Sequence, residues 1–402
     1  MMKAFRTAVM LALAVFTLSL CGCVNYVDLA DRAIVQAIGV DYLPDKKVYR
    51  ISMQYFNQSS EGGQNQIDKT QDNVLKSVGE GDNIFSAAKN ASLLTGKDLL
   101  LSENRLIIIG RELRKFDLEQ TMEFFIGNFH SHPQAYVAAA ENTAEELLDI
   151  RFKEGSTSSQ RLSGLIRNAA SEGRCVYSYP YRVMTLLCTG TRSAFLPLLK
   201  TAELKTDVTI PEEGGNSGKG SKEEQSEDGE TSIIIDGGVV FKDGVELSQV
   251  NAETSTVVFF MTGRPSEYSF TVPLEKYAKP SITLDVITQS VTAKEKDGKI
   301  VFDIALKASG KIGSRGNIEE GDSGTVNVVT KAAESELRRI IEDSVIPVAG
   351  EGCDVFGLEN TIRRCCNKLY NENKDKIGEI IADSEYNVSV DIDIFSLGLN
   401  TV

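Results

Sequence analysis

The sequence predicts an α+β protein of several domains, in which mixed sheets are each packed against helices. Three observations favour this class. Strand and helix patterns alternate along residues 24–206, a long amphipathic helix is predicted near the C-terminus, and the chain closes on a strictly alternating segment. With 402 residues and 42% apolar composition, the chain is long enough for two or three packed cores.

The first segment, residues 1–22, is predicted to be a signal peptide. Lys3 and Arg6 precede an uncharged run of thirteen residues, AVMLALAVFTLSL. A buried core helix can have a similar composition, but the terminal position and the preceding positive charge favour an export signal. The run is too short to span a bilayer, which requires about twenty apolar residues.

The end of this run predicts a lipid attachment site at Cys23. Leu20-Cys21-Gly22-Cys23 resembles the lipobox of bacterial lipoproteins, in which cleavage would fall between Gly22 and Cys23. The Cys23 sulfur would then carry a diacylglycerol through a thioether bond. The alternative is ordinary secretory cleavage beside an incidental cysteine.

The charge of the chain tests whether such an anchor would hold. Loss of Lys3 and Arg6 changes the formal net charge from −14 to −16, so anionic headgroups repel the body. Two acyl chains contribute on the order of 20 kcal/mol, at about 0.8 kcal/mol per methylene, and outweigh this repulsion. An acidic chain also argues against nucleic acid as a partner, because that binding requires Lys and Arg at phosphates.

Residues 23–206 are predicted to form an N-terminal α+β region, which could divide near residue 140. In 49–55, apolar side chains alternate with polar ones, which predicts a half-buried strand. It should pair with Ala33 to Val40 across a turn at Pro44-Asp45. The elements expected next are a helix marked by Ile84, Ala88, Ala91 and Leu94 and ended by Gly96, a buried strand 105–110, a helix with Leu118, Met122 and Phe125, a strand 135–139, and helices capped at Asn142 and Thr157.

Residues 207–232 are predicted to be an acidic, Gly-rich linker or loop. The stretch PEEGGNSGKGSKEEQSEDGE has seven acids and five glycines and few apolar side chains, so it cannot bury enough surface to offset its ordering entropy. Its GNSGKGS lacks the spacing of a phosphate-binding loop, which argues against nucleotide binding.

Residues 233–400 are predicted to form a C-terminal α+β domain that opens with the strand Ile233 to Phe241. A long helix, ended by Pro347 and Gly350, and a second helix follow. Their inward residues are Val329, Ala333, Leu337, Ile340 or Ile341, and Val345 in the first, and Leu358, Ile362, Cys366 and Leu369 in the second. The chain closes with the strand YNVSVDIDI, whose Asp391 and Asp393 lie on its polar side.

The sequence contains no recognisable catalytic motif, so the chain is predicted not to be an enzyme. His130 and His132 could bind a metal, but a surface turn before Pro133 explains them better. Asp391 and Asp393 are interpreted as solvated residues, although a functional carboxylate site is kept as an alternative. Of the cysteines after Cys23, most are expected to be buried free thiols, with Cys353 to Cys365 or Cys366 as the favoured bridge; they are Cys175, Cys188, Cys353, Cys365 and Cys366.

Four stretches in the same order resemble the Ger(x)C family, the C subunits of spore germinant receptors. They are Asp31-Arg-Ala-Ile-Val-Gln-Ala-Ile-Gly-Val-Asp41 after Cys23, the segment from Gly96 to Gly110 followed by Gln134 to Ala140, the strand Ile233 to Phe241, and Cys353-Asp-Val-Phe-Gly357. The resemblance covers nearly all of residues 23–400. Family members often have a Trp after the lipidated Cys, where this chain has Val24.

The resemblance implies a non-enzymatic lipoprotein on the outer face of the spore inner membrane. It would act with polytopic A and B subunits, which would bind the small-molecule germinant, and no cofactor is expected besides the diacylglycerol on Cys23. Asp354, Phe356 and Gly357 would form a structural turn or a partner contact, and the structural turn is favoured for Asp354. The competing function is an extracytoplasmic solute-binding lipoprotein of a transporter, and a spore-wall hydrolase with paired acids is a third class.

Overall fold

The computed structural model describes residues 31–56, 74–127, 131–150, 157–204, 230–263, 267–274, 279–314 and 323–396, with a few single positions elsewhere. Two sheets and ten helices are present in these ranges, which confirms the predicted α+β class. The signal peptide, Gly22, Cys23, His130 and residues 207–229 of the predicted linker lie outside the described residues.

Thirteen strands are present in the described part of the chain. They are β1 (Arg32–Leu43), β2 (Val48–Phe56), β3 (Val74–Gly81), β4 (Asp98–Leu100), β5 (Leu106–Ile109), β6 (Tyr136–Ala140), β7 (Ser193–Leu204), β8 (Glu230–Lys242), β9 (Val245–Val250), β10 (Tyr268–Thr271), β11 (Ser281–Lys296), β12 (Lys299–Ser314) and β13 (Glu385–Ser396).

The helices are α1 (Ile84–Thr95), α2 (Leu118–Gly127), α3 (Ala144–Asp149), α4 (Ser158–Ser171), α5 (Pro180–Leu187), α6 (Ala252–Thr262), α7 (Ser323–Gly350), α8 (Leu358–Cys365), α9 (Asn367–Glu372) and α10 (Ile377–Ala382). Short 3-10 turns lie at Leu101–Glu103, Leu113–Lys115 and Lys374–Lys376.

The first sheet has nine strands in the order β3-β2-β1-β5-β6-β7-β8-β9, and β4 pairs with the start of β1. Its centre, β1-β5-β6-β7, is parallel, and both sides are antiparallel. Helices cover both faces, so each of the four residues of β5 is fully buried. This burial on two faces explains why residues 106–109 are uniformly apolar rather than alternating.

The packing of helices on both faces of the sheet also corrects one prediction about β2. The polar face of this strand was expected to be solvated, but Ser52 and Gln54 are buried. The Gln54 Nε2 donates a hydrogen bond of 2.6 Å to the Leu148 carbonyl in α3, because that helix packs on this face. The pairing of β1 with β2 across the turn at Pro44-Asp45 is confirmed.

The helix ends in this region agree with the sequence except at two points. The α1 helix ends at Gly96, whose φ of 64° favours glycine, as predicted, but Leu94 is 74% exposed rather than inward. The cap of α3 is Thr143 rather than Asn142, and its hydroxyl accepts a hydrogen bond from the Glu146 N–H. The cap of α4 is Thr157, as predicted.

The division expected at residue 233 is not a division between sheets. Strand β8 pairs along its length with β7, with Phe241 opposite Ala194 and Ile233 opposite Thr201, so it belongs to the nine-stranded sheet. Residues 230–232, assigned to the linker, are part of this strand. Composition marks where a linker begins, but it does not indicate which sheet the next strand joins.

An ion pair joins the 3-10 turn at Leu113–Lys115 to β9, the edge strand of the first sheet. The Arg114 side chain is fully buried, and its Nε lies 3.4 Å from Glu246 Oε2 on β9. Burial lowers the pKa of Arg114, while the nearby Glu246 carboxylate opposes that change.

The second sheet has the order β10-β11-β12-β13, and the closing strand β13 runs parallel to β12. The 28-residue helix α7 packs on this sheet with all of its predicted inward residues buried. Pro347 lies within the last turn of α7 rather than ending it, and the helix ends at Gly350. The second predicted helix is divided at Cys366, whose backbone is not helical, into α8 and α9.

The five cysteines of the described part are free, so the favoured bridge from Cys353 to Cys365 or Cys366 is wrong. Cys353 is fully buried in the second core, whereas Cys365 is exposed. Cys175 is also buried, but Cys188 is exposed, so buried thiols are not the majority. No helix in the described ranges is long and apolar enough to cross a bilayer.

A buried carboxylate seats α3 on β1. Asp41 is 3% exposed, and its two oxygens accept hydrogen bonds from the Ala144 and Glu145 N–H groups at 2.8 and 3.0 Å. Burial raises the pKa of Asp41 to about 6, despite these two bonds. A Cβ at Gly110 would come within 1.8 Å of Asp41 Oδ1, so glycine is required at the end of the 96–110 segment.

Asp41 should make stability depend on pH between about 4 and 6. Because its pKa is about 6 in the folded chain against an ordinary 3.8, the folded state binds more protons in this window. Stability should therefore fall as pH rises from 4 to 6, by about 3 kcal/mol, and level off above. Asp41→Asn should flatten this slope in denaturant unfolding curves. Asp45→Asn, on the exposed turn, is the control, and equal slopes for the two variants would contradict the assignment.

Candidate functional site

The segment Asp354-Val-Phe-Gly357 lies between α7 and α8, where the two sheets meet. Asp354 is 6% exposed, and its carboxylate accepts hydrogen bonds from the N–H groups of Phe356, Leu358 and Glu359 at 3.1, 2.8 and 2.7 Å. Burial raises the pKa of Asp354, and the three N–H donors oppose that effect. The carboxylate thus caps the N-terminus of α8, as a structural turn would require.

The other two residues of this motif also have local explanations. Gly357 has a φ of 82°, a left-handed conformation that favours glycine. Phe356 is 2% exposed and packs in the core of the second sheet. The Phe356 side chain is not available at the surface, and Gly357, although exposed, has no side chain to present, so both residues are explained by the local turn.

Polar bonds from this turn reach the first sheet. The Asp354 N–H donates to Ser193 Oγ, at the start of β7, over 3.0 Å. The Glu359 carboxylate accepts from the Gly190 and Thr191 N–H groups, each at 2.9 Å, and the Tyr370 hydroxyl donates to it over 3.1 Å. The first turn of α8 is therefore bonded to the turn that precedes β7.

Glu359 was not singled out from the sequence. An acidic residue in the first turn of an amphipathic helix is common, and its partners lie more than 160 residues earlier in the chain. Glu359 is 7% exposed, which is unusual for a glutamate, and only its tertiary partners explain that burial. No local signal in the sequence distinguishes it from the exposed acids nearby.

A cleft of about 810 Å³ lies beside this junction. Its polar walls include Arg182 of α5 and Asn360 and Arg363 of α8, and its apolar walls include Phe195 and Val258. Burial lowers the pKa of Arg182, whose Nη1 donates to the Tyr177 carbonyl over 3.1 Å. The two guanidinium groups of the polar walls, beside the apolar walls, could hold a small molecule that carries a carboxylate.

The other residues considered for chemistry do not converge. Asp391 and Asp393 are exposed on β13, and Asp391 lies 3.9 Å from Lys307 on the neighbouring strand. His132 Nδ1 accepts from the Gln134 N–H at 3.1 Å within a turn. In the described ranges, no three His, Cys, Asp or Glu side chains are placed to hold a metal ion.

Two family models match the chain in succession. The model described as the spore germination protein N-terminal domain matches residues 25–201, and that described as spore germination B3/GerAC like, C-terminal, matches residues 236–398. Spore germination protein KC of Bacillus subtilis (strain 168) is 23% identical over an aligned length of 406, and the alignment covers 98% of this chain and 94% of that protein. The crystal structure of the GerBC protein matches with a TM-score of 0.51 and 14% identity, over 89% of this chain and 96% of that one, which shows a shared fold.

Asp354→Ala should destabilise the protein by about 3 kcal/mol, because three backbone N–H groups at the start of α8 would lose their acceptor. Asp354→Asn keeps one acceptor oxygen and should lie between this variant and the wild type. Urea unfolding followed by circular dichroism measures the difference. Asp391→Ala, on the exposed face of β13, is the matched control and should change stability by less than about 0.5 kcal/mol. Equal losses for the two alanine variants would contradict the capping role.

Proposed function

Since the chain belongs to the Ger(x)C family of spore germination proteins, we propose that it is the lipid-anchored C subunit of a nutrient germinant receptor. The observation that carries this proposal is the succession of two family matches over 25–201 and 236–398. The relative named spore germination protein KC is similar over 98% of this chain, so both halves have counterparts there. A match to only one of the two family models would support the proposal less well, and both match.

The proposed role is protein contact beside a membrane, without catalysis. The junction supports it, because Asp354 and Glu359 use their oxygens on backbone N–H groups within the fold. Carboxylates satisfied in this way stiffen a scaffold and are poorly placed to exchange protons with a substrate. The proposed partners are polytopic A and B subunits, and the germinant would bind to them.

The proposed location is the outer face of the spore inner membrane. The Leu20-Cys21-Gly22-Cys23 sequence supports it, with the diacylglycerol on Cys23 as the anchor. Two acyl chains suffice to hold an acidic body at the bilayer, as the energies above indicate.

A second candidate function, a solute-binding lipoprotein of a transporter, is favoured by one observation. The cleft beside the junction has the size and the mixed polar and apolar walls of a small-molecule site. In this alternative the isolated chain would bind its ligand directly, whereas the receptor proposal expects the partner subunits to be required.

Deletion of the gene in the native spore former, followed by complementation, tests the receptor proposal. Spores lacking the chain should lose the nutrient response and keep chemically forced germination. Cys23→Ala should abolish fatty-acid labelling and fail to restore the response, because the acyl chains would be lost. Cys21→Ala is the matched control and should restore both. A normal nutrient response in the deletion strain, with no redundant paralogue, would refute the proposal.

Calorimetry of the purified full chain in detergent against amino acids and sugars separates the two candidates. The receptor proposal expects no saturable heat from the chain alone. Saturable heat that is lost in Arg182→Ala would favour the solute-binding alternative, because this side chain lines the cleft. Arg364→Ala, which removes a guanidinium bonded to the Val291 carbonyl elsewhere, is the matched control.

A further inference from the structure

Three leucines are exposed together at one end of the first sheet. Leu93 and Leu94, in the last turn of α1, are 70% and 74% exposed, and Leu75 at the start of β3 is 39% exposed. Exposed leucines gathered at one place indicate a contact surface more strongly than single ones do. We call Leu75, Leu93 and Leu94 the leucine tip.

Contacts between α1 and β3 show why these side chains lie together. A Cβ at Gly81 would touch Ser86, one at Gly79 would touch Ala87 and Ala91, and Ser77 Oγ donates to the Ala91 carbonyl. The helix thus runs antiparallel to the strand, with its later residues beside earlier strand positions. Because alternate strand residues share a face, Leu75 is next in this series, beside the last turn of α1.

The leucine tip lies at the end of the sheet where the N-terminal segment enters. After α1 ends at Thr95, the chain forms β4, and Asp98 of β4 is paired with Arg32 at the start of β1. Because β4 begins only three residues after α1 ends and is paired with the start of β1, about 4.8 Å away, the leucine tip and Arg32 lie at the same end of the sheet. Cys23 precedes Arg32 by nine residues, which can span at most about 30 Å.

Two basic residues lie near the leucine tip. Lys89 is exposed one turn before Leu93 on α1, and Arg32 opens β1 beside the acids Asp31 and Asp98. Long basic side chains beside leucines can reach lipid headgroups while the apolar groups enter the acyl boundary.

We propose that the leucine tip is the membrane-contacting surface of this protein and orients the body on the bilayer. This inference rests on the proposed lipid anchor at Cys23, because the short tether is what brings the tip to the lipid. One attachment point alone would leave the body free to rotate about the tether. The tip supplies a second contact, which fixes the direction in which the cleft and the second sheet face.

Single-tryptophan variants test this inference directly, because the chain contains no Trp. The full lipidated protein is placed in vesicles of phosphatidylglycerol and phosphatidylcholine whose acyl chains carry bromine, a contact quencher of indole fluorescence. Leu94→Trp should emit at shorter wavelength and lose most of its emission in brominated vesicles. Val286→Trp, at a 58% exposed position on β11, is the matched control and should keep its emission.

Flotation of the same vesicles distinguishes failure of the tip from failure of the anchor. Protein that floats with the vesicles, with Leu94→Trp unquenched or quenched no more than Val286→Trp, overturns the inference and leaves the anchor intact. The same result is expected if the natural contact of the leucine tip is a partner protein rather than lipid. Protein that does not float refutes the anchor, and the inference with it. Circular dichroism equal to that of the wild type shows that each variant is folded.

Discussion

The relation between the two sheets depends on carboxylates that accept backbone N–H groups at the start of α8. Asp354 caps the helix from within its own turn, and Glu359 reaches back to the turn before β7. Both side chains are buried, so each bond forms away from competing water. Removing either acceptor would leave N–H groups without a partner at the point where the halves of the chain meet.

The same device recurs at the other end of the first sheet. Asp41, at the end of the Gly39-Val-Asp41 sequence, accepts hydrogen bonds from the N–H groups that open α3, and Gly110 leaves room for its carboxylate. A Cβ at Gly39 would come within 2.9 Å of the Ala144 side chain, so the glycine allows α3 to approach the sheet. Buried carboxylates at helix N-termini therefore position helices on both sides of the junction, at the cost of removing charge from water.

These constraints fix how the parts of the molecule are arranged, which would matter under the proposed attachment to a membrane. The register of the parallel strands places the start of β1 and the start of β7 at the same edge of the first sheet, with the leucine tip near the former and the junction at the latter. In the proposed receptor, a rigid junction would carry the second half at a set distance from the bilayer. A body with a loose junction could not present one surface consistently to polytopic partners.

Much of the local structure follows from the sequence because it depends on periodicity and on caps. The alternation in β13, the inward face of α7 and the glycine that ends α1 are each determined by residues close together in the chain. The motif at 354–357 is also recognisable locally, since an aspartate followed by a glycine before an amphipathic helix indicates a capped turn. The predictions of an export signal and of an acidic linker after residue 206 rest on composition and use no tertiary context.

Only the tertiary structure decided which strands share a sheet and which acids are buried. Strand β8 joins β7 across 25 intervening residues, and the polar face of β2 is covered by α3, so neither outcome is encoded in the local pattern. Glu359 resembles any helix-opening acid until the turn at Gly190 is placed beside it. A hydrogen bond from a backbone group that is distant in the chain does not require any particular residue type beside Glu359. For this physical reason the sequence alone could not reveal the junction.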